Sequence, residues 1–319
     1  MATSRPSGRD ERGLALVIVL LVLSLLLAVV SEFAAAMRQE GATTLNFRAN
    51  VAAAHLAEAG YHRALVELAV NPIAVYLDDQ TGLLVLRRST AEVVKPPTRE
   101  NIALGPGRFS YRITDEGARI NVANVERLEG LLRELGVEKE NRDIILDSVQ
   151  DWRSPDENHR LNGAKSDYYQ SLPVPYKSKN APLDSVEELL QIRGVTPRIF
   201  YGTPETPGLV EYLTVSTTRM NANTVSDVVL RALNFQPAQV DRLKAGRPYH
   251  PGNPIPTDLP RIGLGFQSSV FRIEATGEIP GQGRRTLRAI VSTQPAGGGP
   301  PRPTLLAWQW GQDEAPPRE

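Results

Sequence analysis

The stretch RGLALVIVLLVLSLLLAVVSE, residues 12–32, decides the fold of this chain. From Leu14 to Val30 every residue except Ser24 is apolar. Because a helix rises about 1.5 Å per residue, this run is just long enough to cross a hydrocarbon core. A charged leader with a slight excess of arginine precedes the run. Such a leader is expected to stay in the cytoplasm and to direct the rest of the chain outward.

Three interpretations of the apolar run are open from its flanks. Ala34, Ala35 and Ala36 offer small residues to a signal peptidase beyond the apolar core, as in a secretory signal. Gly13 offers a cleavage point on the other side, where cutting removes the leader and leaves the apolar segment on the mature chain. The run is also compatible with a plain membrane anchor.

Beyond the run the sequence predicts a continuing helix with one apolar face. Residues 31–70 are rich in Ala, Leu and Glu. Four residues of this segment lie close to one stripe at helical spacing, namely Leu56, Ala59, Ala64 and Leu68. We therefore predict a helix from Leu14 to about Val70, apolar all round in its first half and packed along one face in its second half.

Strand-like alternation occurs on both sides of a long helical region. In GRFSYRITDEGARINV, residues 107–122, apolar and polar residues alternate, and the same period returns in SVFRIEATGEI, RRTLRAIVST and TLLAWQW. The PGQG segment predicts a hairpin turn between the first two of these later strands. A proline-punctuated loop is expected from Asn71 to about Asn101. The predicted class is α+β, with a long N-terminal helix packed on a small antiparallel sheet and a large all-α domain inserted between strands.

The insert contains a partial internal repeat. INVANVERLEGLLRELG and MNANTVSDVVLRALNF each place an apolar residue before Asn and a second Asn before an amphipathic segment. The later residues of each pair, Asn124 and Asn223, are predicted to cap the helices that follow. The repeat predicts two related modules of sterile-alpha-motif or helix-hairpin-helix type.

A helix-hairpin-helix turn is predicted in SVEELLQIRGVTPRIF, residues 185–200, where Gly194 would let two helices meet closely. Turns of this kind can bind a DNA phosphate through backbone amides. Only Arg193 and Arg198 flank this one. A structural turn and a membrane-tethered DNA-binding protein both remain open, and no nucleic-acid partner is expected.

The composition argues against nucleic-acid affinity by charge and against catalysis. Basic and acidic residues balance at 36 each, and the chain contains four histidines and no cysteine. A neutral chain has no net field to attract nucleic acid or acidic lipid. The sequence also contains no H-E-x-x-H, G-x-S-x-G or phosphate-loop motif. We predict that the protein is not an enzyme.

The chain closely resembles the minor pseudopilin K family of type II secretion systems. The resemblance rests on the leader with Gly13, the RFSYRITDEGARINV segment and, above all, residues 145–194. Within residues 145–194 the family pattern appears as a series of short pieces: Asp151-Trp152, Gly163-Ala164, Tyr168-Tyr169, Asn180-Ala181-Pro182 and Gly194. A minor pilin of a type IV pilus would share the leader and the helix, but is not expected to carry this acidic insert.

The resemblance implies a pilin-like fold and a role in assembly. A prepilin peptidase would cut after Gly13 and leave Leu14 as a methylated N-terminus. Most members of the wider superfamily carry Glu at the fifth mature position, where this chain has Ile18. Ile18 offers no carboxylate to the N-terminal amine of a neighbouring subunit, which favours a position at the filament tip. Implied partners are the other minor pseudopilins, the major pseudopilin, the prepilin peptidase, the inner membrane and either the secretin or secreted cargo.

The resemblance further implies a domain organisation and a location. The expected units are a leader (1–13), a membrane-spanning spine helix (14–70), a first part of the pseudopilin α/β domain (71–122), the helical insert (123–256) and the C-terminal strands (257–319). The expected location is the bacterial inner membrane, with one pass and with the C-terminal bulk in the periplasm.

The resemblance also implies calcium bound in the insert. The oxygen ligands that calcium prefers would come from Asp151, Asp156, Asn158 and Asp167. A solvated acidic loop is the alternative. Two positions depart from the family pattern, because Ser154 and Lys165 stand where acidic residues are common. We therefore expect one calcium ion at most.

Overall fold

The computed structural model describes residues 10–70, 72–78, 80–89, 97–217, 219–260, 263–294 and 302–311. Of residues 10–13 it describes only the backbone. Two separate apolar cores organise the described chain. One lies between the N-terminal helix and an antiparallel sheet, and the other lies within the helical insert. The α+β class predicted from the sequence is confirmed.

Helix α1 runs from Asp10 to Leu68 and packs only through its second half. The predicted stripe at helical spacing is largely confirmed, although Ala59 is only partly buried. The side chains of this half that enter the core are Ala53, Leu56, Ala57, Tyr61, Ala64 and Leu68. Half of these residues are alanines, which lets the helix backbone lie close to the sheet.

The main sheet has five antiparallel strands in the order β11-β10-β9-β4-β3. Its strands are β3 (Ile102–Leu104), β4 (Gly107–Asp115), β9 (Val270–Ile279), β10 (Gly283–Ser292) and β11 (Thr304–Trp310). Strand β4 pairs with β9, so that Tyr111 lies opposite Ala275. All four predicted strands are present, and the central pairing joins segments on either side of the insert. The predicted insertion between strands is therefore confirmed.

Glycines set the distance between helix α1 and the sheet. A Cβ atom on Gly277 would lie 2.0 Å from the carbonyl oxygen of Ala53, and one on Gly107 would lie 2.6 Å from Leu56 Cδ1. No real Cβ atom can approach a backbone oxygen so closely. The absence of a side chain at Gly277 is thus a requirement of helix-to-sheet contact, since any larger residue must push the two layers apart.

Part of the region expected to be a loop forms a hairpin. Strands β1 (Ala74–Leu77) and β2 (Leu84–Arg87) pair antiparallel and bury Val75 and Leu84. The sequence prediction for these residues was wrong because their alternation is only four residues long and proline lies on either side. Residues 71, 79 and 90–96 of the expected loop lie outside the described chain.

A buried ion pair attaches this hairpin to the end of α1. The Arg99 side chain is almost fully buried and donates from its guanidinium to Glu67 on the helix and, at 2.7 Å, to the carbonyl oxygen of Leu84. The Tyr111 hydroxyl also donates to Glu67, at 3.1 Å. Helix, hairpin and sheet therefore share one polar contact at the edge of their core.

The insert consists of short helices around its own core. The α-helices are α2 (Val125–Glu134), α3 (Lys139–Arg153), α4 (Ser166–Gln170), α5 (Pro197–Tyr201), α6 (Asp227–Ala232) and α7 (Pro237–Ala245). Single 3-10 turns occur at Glu116–Ala118, Val186–Gln191 and Leu209–Glu211. The core of the insert includes Ile120 at one end and Leu259 at the other.

Two very short parallel pairs join the insert predicted to be all helical to the segments on either side of it. Strand β5 (Ile120–Asn121) pairs with β6 (Leu213–Thr214), and β7 (Met220–Asn221) pairs with β8 (Leu264–Gly265). The first residues of both repeat motifs therefore form strand pairs. Two-residue strands leave no periodic signal in the sequence.

The two repeats lie against each other in the fold. Helices α2 and α6 pack so closely that a Cβ atom on Gly130 would lie 2.0 Å from the carbonyl oxygen of Ala232. The predicted cap at Asn124 is confirmed, because its side chain accepts from the amide of Arg127 at 3.1 Å. The prediction for Asn223 was wrong. Ser226 caps α6, while the side-chain amide of Asn223 donates to the carbonyl oxygen of Tyr249.

Replacing Gly277 by Ala is expected to destabilise the fold by about 1 to 3 kcal/mol, because the added methyl group would displace α1 from the sheet. Chemical denaturation of the full chain in detergent micelles, followed by circular dichroism, would measure the free energy of unfolding. Gly265→Ala is the matched control, since the nearest atom to its Cβ would be 3.8 Å away. Equal stability of the two variants would contradict the proposed close contact.

Candidate functional site

The predicted processing residues lie at the exposed end of α1. Gly13 is part of the helix backbone, and the side chains of Leu14 and Ile18 are 65% and 54% exposed. The helix begins at Asp10, so no change of backbone conformation marks the position after Gly13. Cleavage there and the role of Ile18 stay predictions.

The first half of α1 exposes a continuous apolar surface. Within the described chain, α1 is the one helix long and apolar enough to cross a membrane by length and composition. Its most apolar window has a mean hydropathy of 3.2 and is not buried by the rest of the protein. A single N-terminal anchor therefore fits the structure, while the packed second half joins this anchor to the folded domain.

Asp151, the first of the predicted calcium ligands, is fully buried and already paired. It lies in the last turn of α3 and accepts from the backbone amide of Arg160 at 2.9 Å and from its guanidinium at 2.5 Å. A Cβ atom on Gly163 would lie 1.8 Å from Asp151 Oδ2. The Gly163-Ala164 pair of the family pattern thus closes the chain tightly over this carboxylate.

The other predicted ligands do not converge with Asp151. Asp156 accepts from the Ser154 hydroxyl and, at 2.9 Å, from the amide of Asn158. Its carboxylate therefore stabilises the local turn from Ser154 to Asn158. Asn158 and Asp167 are exposed. In the described part of the chain, no group of three or more His, Cys, Asp or Glu side chains could hold a metal ion.

Lys165 is buried at the centre of this loop. Its side chain belongs to a residue that is 1% exposed, and its ammonium donates to the carbonyl oxygen of Ser154 at 2.8 Å and to Asn180 Oδ1 at 3.0 Å. The amide of Asn180 in turn donates to Glu157 Oε1 at 2.6 Å. The residues from Ser154 to Asn180 therefore form one polar cluster, which we call the lysine loop.

The lysine loop does not fit a bound calcium ion. Calcium takes six to eight oxygen ligands, several of them carboxylates. Here the two oxygens that face the loop interior, on Ser154 and Asn180, are taken by an ammonium group. Asp151, meanwhile, is taken by Arg160. The expected calcium stays a prediction.

A cluster of aromatic side chains packs at the base of the lysine loop. Trp152 contacts the buried ring of Tyr169 edge to face, with 5.2 Å between the ring centres, and Tyr169 stacks on Tyr176 at the same distance. Burial raises the pKa of Tyr169 to about 12. The Asp-Trp and Tyr-Tyr pairs singled out in the sequence thus meet in one core, which fixes both ends of the loop.

The turn at Gly194 has the geometry expected of a close helix contact. Its φ is +89°, and a Cβ atom there would lie 2.9 Å from Ile145 Cγ1 on α3. The neighbouring Arg193 donates to the carbonyl oxygen of Gly163 at 3.0 Å and lies over the ring of Tyr168. Because Arg193 is engaged inside the insert, the turn favours a structural role over phosphate binding.

A junction between the sheet and the insert escaped the sequence analysis. Asp115, the last residue of β4, is 3% exposed and accepts from the side chains of Asn221, Thr224 and Ser268 at 2.9, 2.6 and 2.6 Å. The amide of Gly117 donates to its other oxygen at 2.7 Å. These partners are far apart in sequence. Only the Asn of the second repeat, Asn221, gave a local signal.

Comparison with known proteins shows that part of this chain is similar to one family. Residues 108–201, from strand β4 to the end of α5, match the family model described as "Type II secretion system (T2SS), protein K". This match covers less than a third of the chain, and over that stretch the chain is similar to the protein K family. The family resemblance expected from the sequence is thereby confirmed, and the matched region contains the whole lysine loop.

Curated relatives carry the same description over part of their length. The chain is 26% identical over 178 residues to "Type II secretion system protein K" of Pectobacterium carotovorum subsp. carotovorum, a match that covers 54% of this chain and 48% of the relative. Over 200 residues it is 29% identical to the protein K of Klebsiella pneumoniae, covering 60% of each. The chain thus spans about half to three fifths of the curated relatives it matches.

A solved structure shares the fold of most of this chain. It is a chain in the crystal structure of the GspK-GspI-GspJ complex from the type 2 secretion system of enterotoxigenic Escherichia coli. The TM-score is 0.59 at 17% identity, and the match covers 87% of this chain and 99% of that chain. At this identity the likeness concerns the fold alone, and it agrees with the long helix, the antiparallel sheet and the insert described above.

Replacing Asp115 by Ala is expected to lower the free energy of unfolding by about 1 to 3 kcal/mol or more, because it leaves several buried donors without an acceptor. Urea denaturation of the full chain in micelles would measure the change. Asp258→Ala is the control, since its ion pair with Arg242 is more than half exposed and such pairs contribute about 0 to 1 kcal/mol. A neutral Asp115→Ala would show that the junction does not stabilise the fold.

The stability of the lysine loop is expected to fall at acid pH. The Ser154 hydroxyl lowers the pKa of Asp156, and the Asn180 side chain lowers the pKa of Glu157. Since both pKa values are depressed by folding, their stabilisation is present above the ordinary values of 3.8 and 4.5 and is lost as the pH falls through the lowered values. Carboxyl-carbon NMR titration should give midpoints below the ordinary values. Midpoints at or above them would contradict these contacts.

Proposed function

We propose that this chain is a minor pseudopilin at the tip of a type II secretion pseudopilus. In this role it starts filament assembly together with other minor pseudopilins and serves protein export across the outer membrane. It acts by assembly and not by turnover. The observation that carries the proposal is the division of α1 into an uncovered apolar half and a half packed on the sheet beside a protein K domain.

The uncovered half of α1 requires another hydrophobic environment. Apolar side chains from Leu14 to Val30 are exposed, and surfaces of this extent are normally covered by a membrane or a partner. Before assembly the inner membrane would cover them, with the folded part in the periplasm. In a filament the helices of neighbouring subunits would replace the lipid, and each buried side chain would contribute about 1.5 to 3 kcal/mol.

Two features support a position at the tip. Ile18 carries no carboxylate, so it cannot pair with the N-terminal amine of a subunit above, while the amine of Leu14 stays available to a subunit below. The insert adds a second core beside the sheet, and this bulk favours a position with free space on one side. A subunit with these properties would end a filament and not extend it.

The proposed partners follow from the complex that shares the fold. That structure contains GspK together with GspI and GspJ, and we extend this arrangement to the present chain. The major pseudopilin would lie below such a complex, and a prepilin peptidase would prepare the N-terminus. Contact with the secretin or with secreted cargo would involve the exposed surface of the insert.

A Gly13→Val variant is expected to keep the leader and to lose secretion, because a branched side chain at the cleavage position would block processing. The intact mass of the chain from membranes should then include residues 1–13, whereas the wild-type chain should begin at Leu14. Secreted cargo and co-purified minor pseudopilins would be measured in the same strains. Gly8→Val is the matched control, since processing removes that residue.

Different outcomes separate the proposal from its rivals. Cleavage near Ala36, or none in the wild type, would mean a secretory signal or a plain anchor. Normal secretion after deletion of the gene, together with a loss of pili, would point to a type IV pilus. A Gly13→Val chain that keeps residues 1–13 and still supports normal secretion would contradict the assembly role.

A further inference from the structure

The lysine loop surrounds an ammonium group with the kind of oxygen atoms that bind a hard cation. The Lys165 ammonium donates to a backbone carbonyl oxygen on Ser154 and to a side-chain carbonyl oxygen on Asn180. Carbonyl and amide oxygens are common ligands of calcium. Lys165 directly follows Gly163-Ala164, so the tight turn over Asp151 delivers its side chain into the loop.

Acidic side chains form a second layer around this ammonium. Glu157 is connected to it through the amide of Asn180. Asp156 accepts from the hydroxyl of Ser154, the residue whose backbone carbonyl oxygen accepts from the ammonium. The Ser166 hydroxyl also donates to Glu157, at 3.3 Å. Both carboxyl groups have lowered pKa values, to which the charge of Lys165 contributes after their hydrogen bonds. The buried positive charge thus has two carboxylates near it, and one of them, Glu157, is linked to it through a single amide group.

A buried ammonium group such as that of Lys165 is stable only where the surrounding groups offset the cost of removing it from water. Removing an ammonium from water is costly unless oxygens and negative charge replace the solvent. Here the oxygens connect the end of α3, the start of α4 and the segment at Asn180. A cation at this point therefore ties three segments of the insert together.

We propose that the ammonium of Lys165 takes the place of a metal ion, so that the lysine loop folds and stays closed without calcium. The chain supplies its own cation at this position through a covalent tether. Arg160 does the same for Asp151, whose two oxygens accept from the backbone and the guanidinium of that residue. The carboxylate of Asp151 and the oxygens of Ser154 and Asn180 are therefore all paired with cations of the chain itself.

The proposal predicts that two substitutions of Lys165 both destabilise the loop but respond differently to calcium. Lys165→Met keeps most of the side-chain length but removes the charge, so the oxygens of Ser154 and Asn180 lose their donor and the carboxylates lose their cation. Lys165→Glu adds a negative charge to the same place, which should destabilise the loop further. In that variant alone the loop gains an acidic oxygen set, and added calcium should restore part of the stability.

The experiment is thermal unfolding of the full chain in detergent micelles, followed by near-ultraviolet circular dichroism, in EGTA and in millimolar calcium chloride. The wild-type Tm should be the same in both. Lys165→Met should unfold roughly 5 to 10 °C lower in both conditions. Lys165→Glu should have a lower Tm in EGTA and recover with calcium. Lys177→Met, at an exposed lysine of the same loop, should match the wild type.

Calorimetric titration of the wild-type chain with calcium chloride gives a readout that needs no folded variant. The expected result is no saturable heat. One-to-one binding of calcium, or a wild-type Tm that rises by several degrees with calcium, would overturn the proposal. An unchanged Tm in Lys165→Met would overturn it too. The inference does not rest on the proposed role in assembly, since folding and metal binding are measured independently of secretion.

Discussion

The architecture depends on a single buried carboxylate at the point where the chain leaves the sheet. Asp115 ends strand β4, and its backbone lies opposite Phe271 near the start of β9. The insert therefore departs from and returns to neighbouring strand ends. The groups that donate to the Asp115 carboxylate come from the turn after β4, from the second repeat and from the segment at Ser268 that leads back to the sheet. The Asp115 side chain thus holds the start and the end of the insert together and orients the second repeat against the sheet.

Much of the fold was predictable because its signals are local and periodic. Strands β4, β9 and β10 alternate for nine or ten residues, and the packed half of α1 repeats small and apolar residues at helical spacing. The hairpin of β1 and β2 and the pairs of β5 to β8 were missed because they are only two to four residues long. Asn223 has the side chain of a typical helix cap, but Ser226 caps α6 because its hydroxyl accepts from the amide of Val229.

The candidate site was harder to predict because acidic residues do not reveal their partners in a sequence. Asp151, Asp156 and Asp167 look equivalent as potential ligands, but one is buried against Arg160, one caps its own turn and one faces solvent. The position of Lys165 was noticed as a departure from the family pattern. Its burial between Ser154 and Asn180 depends on contacts across the loop, which no local spacing encodes.

The uneven packing of α1 also determines the height of the folded part above a lipid surface. The apolar run ends at Val30, and the first buried residue of the helix is Ala49. At about 1.5 Å per residue, the helix between them is a rod of roughly 27 Å. If the apolar run lies in a bilayer, the sheet and its insert stand beyond the edge of the hydrocarbon layer by nearly the thickness of that layer. This distance leaves room for a helix of a second subunit to pack along the exposed segment of α1 without contacting the sheet or the insert.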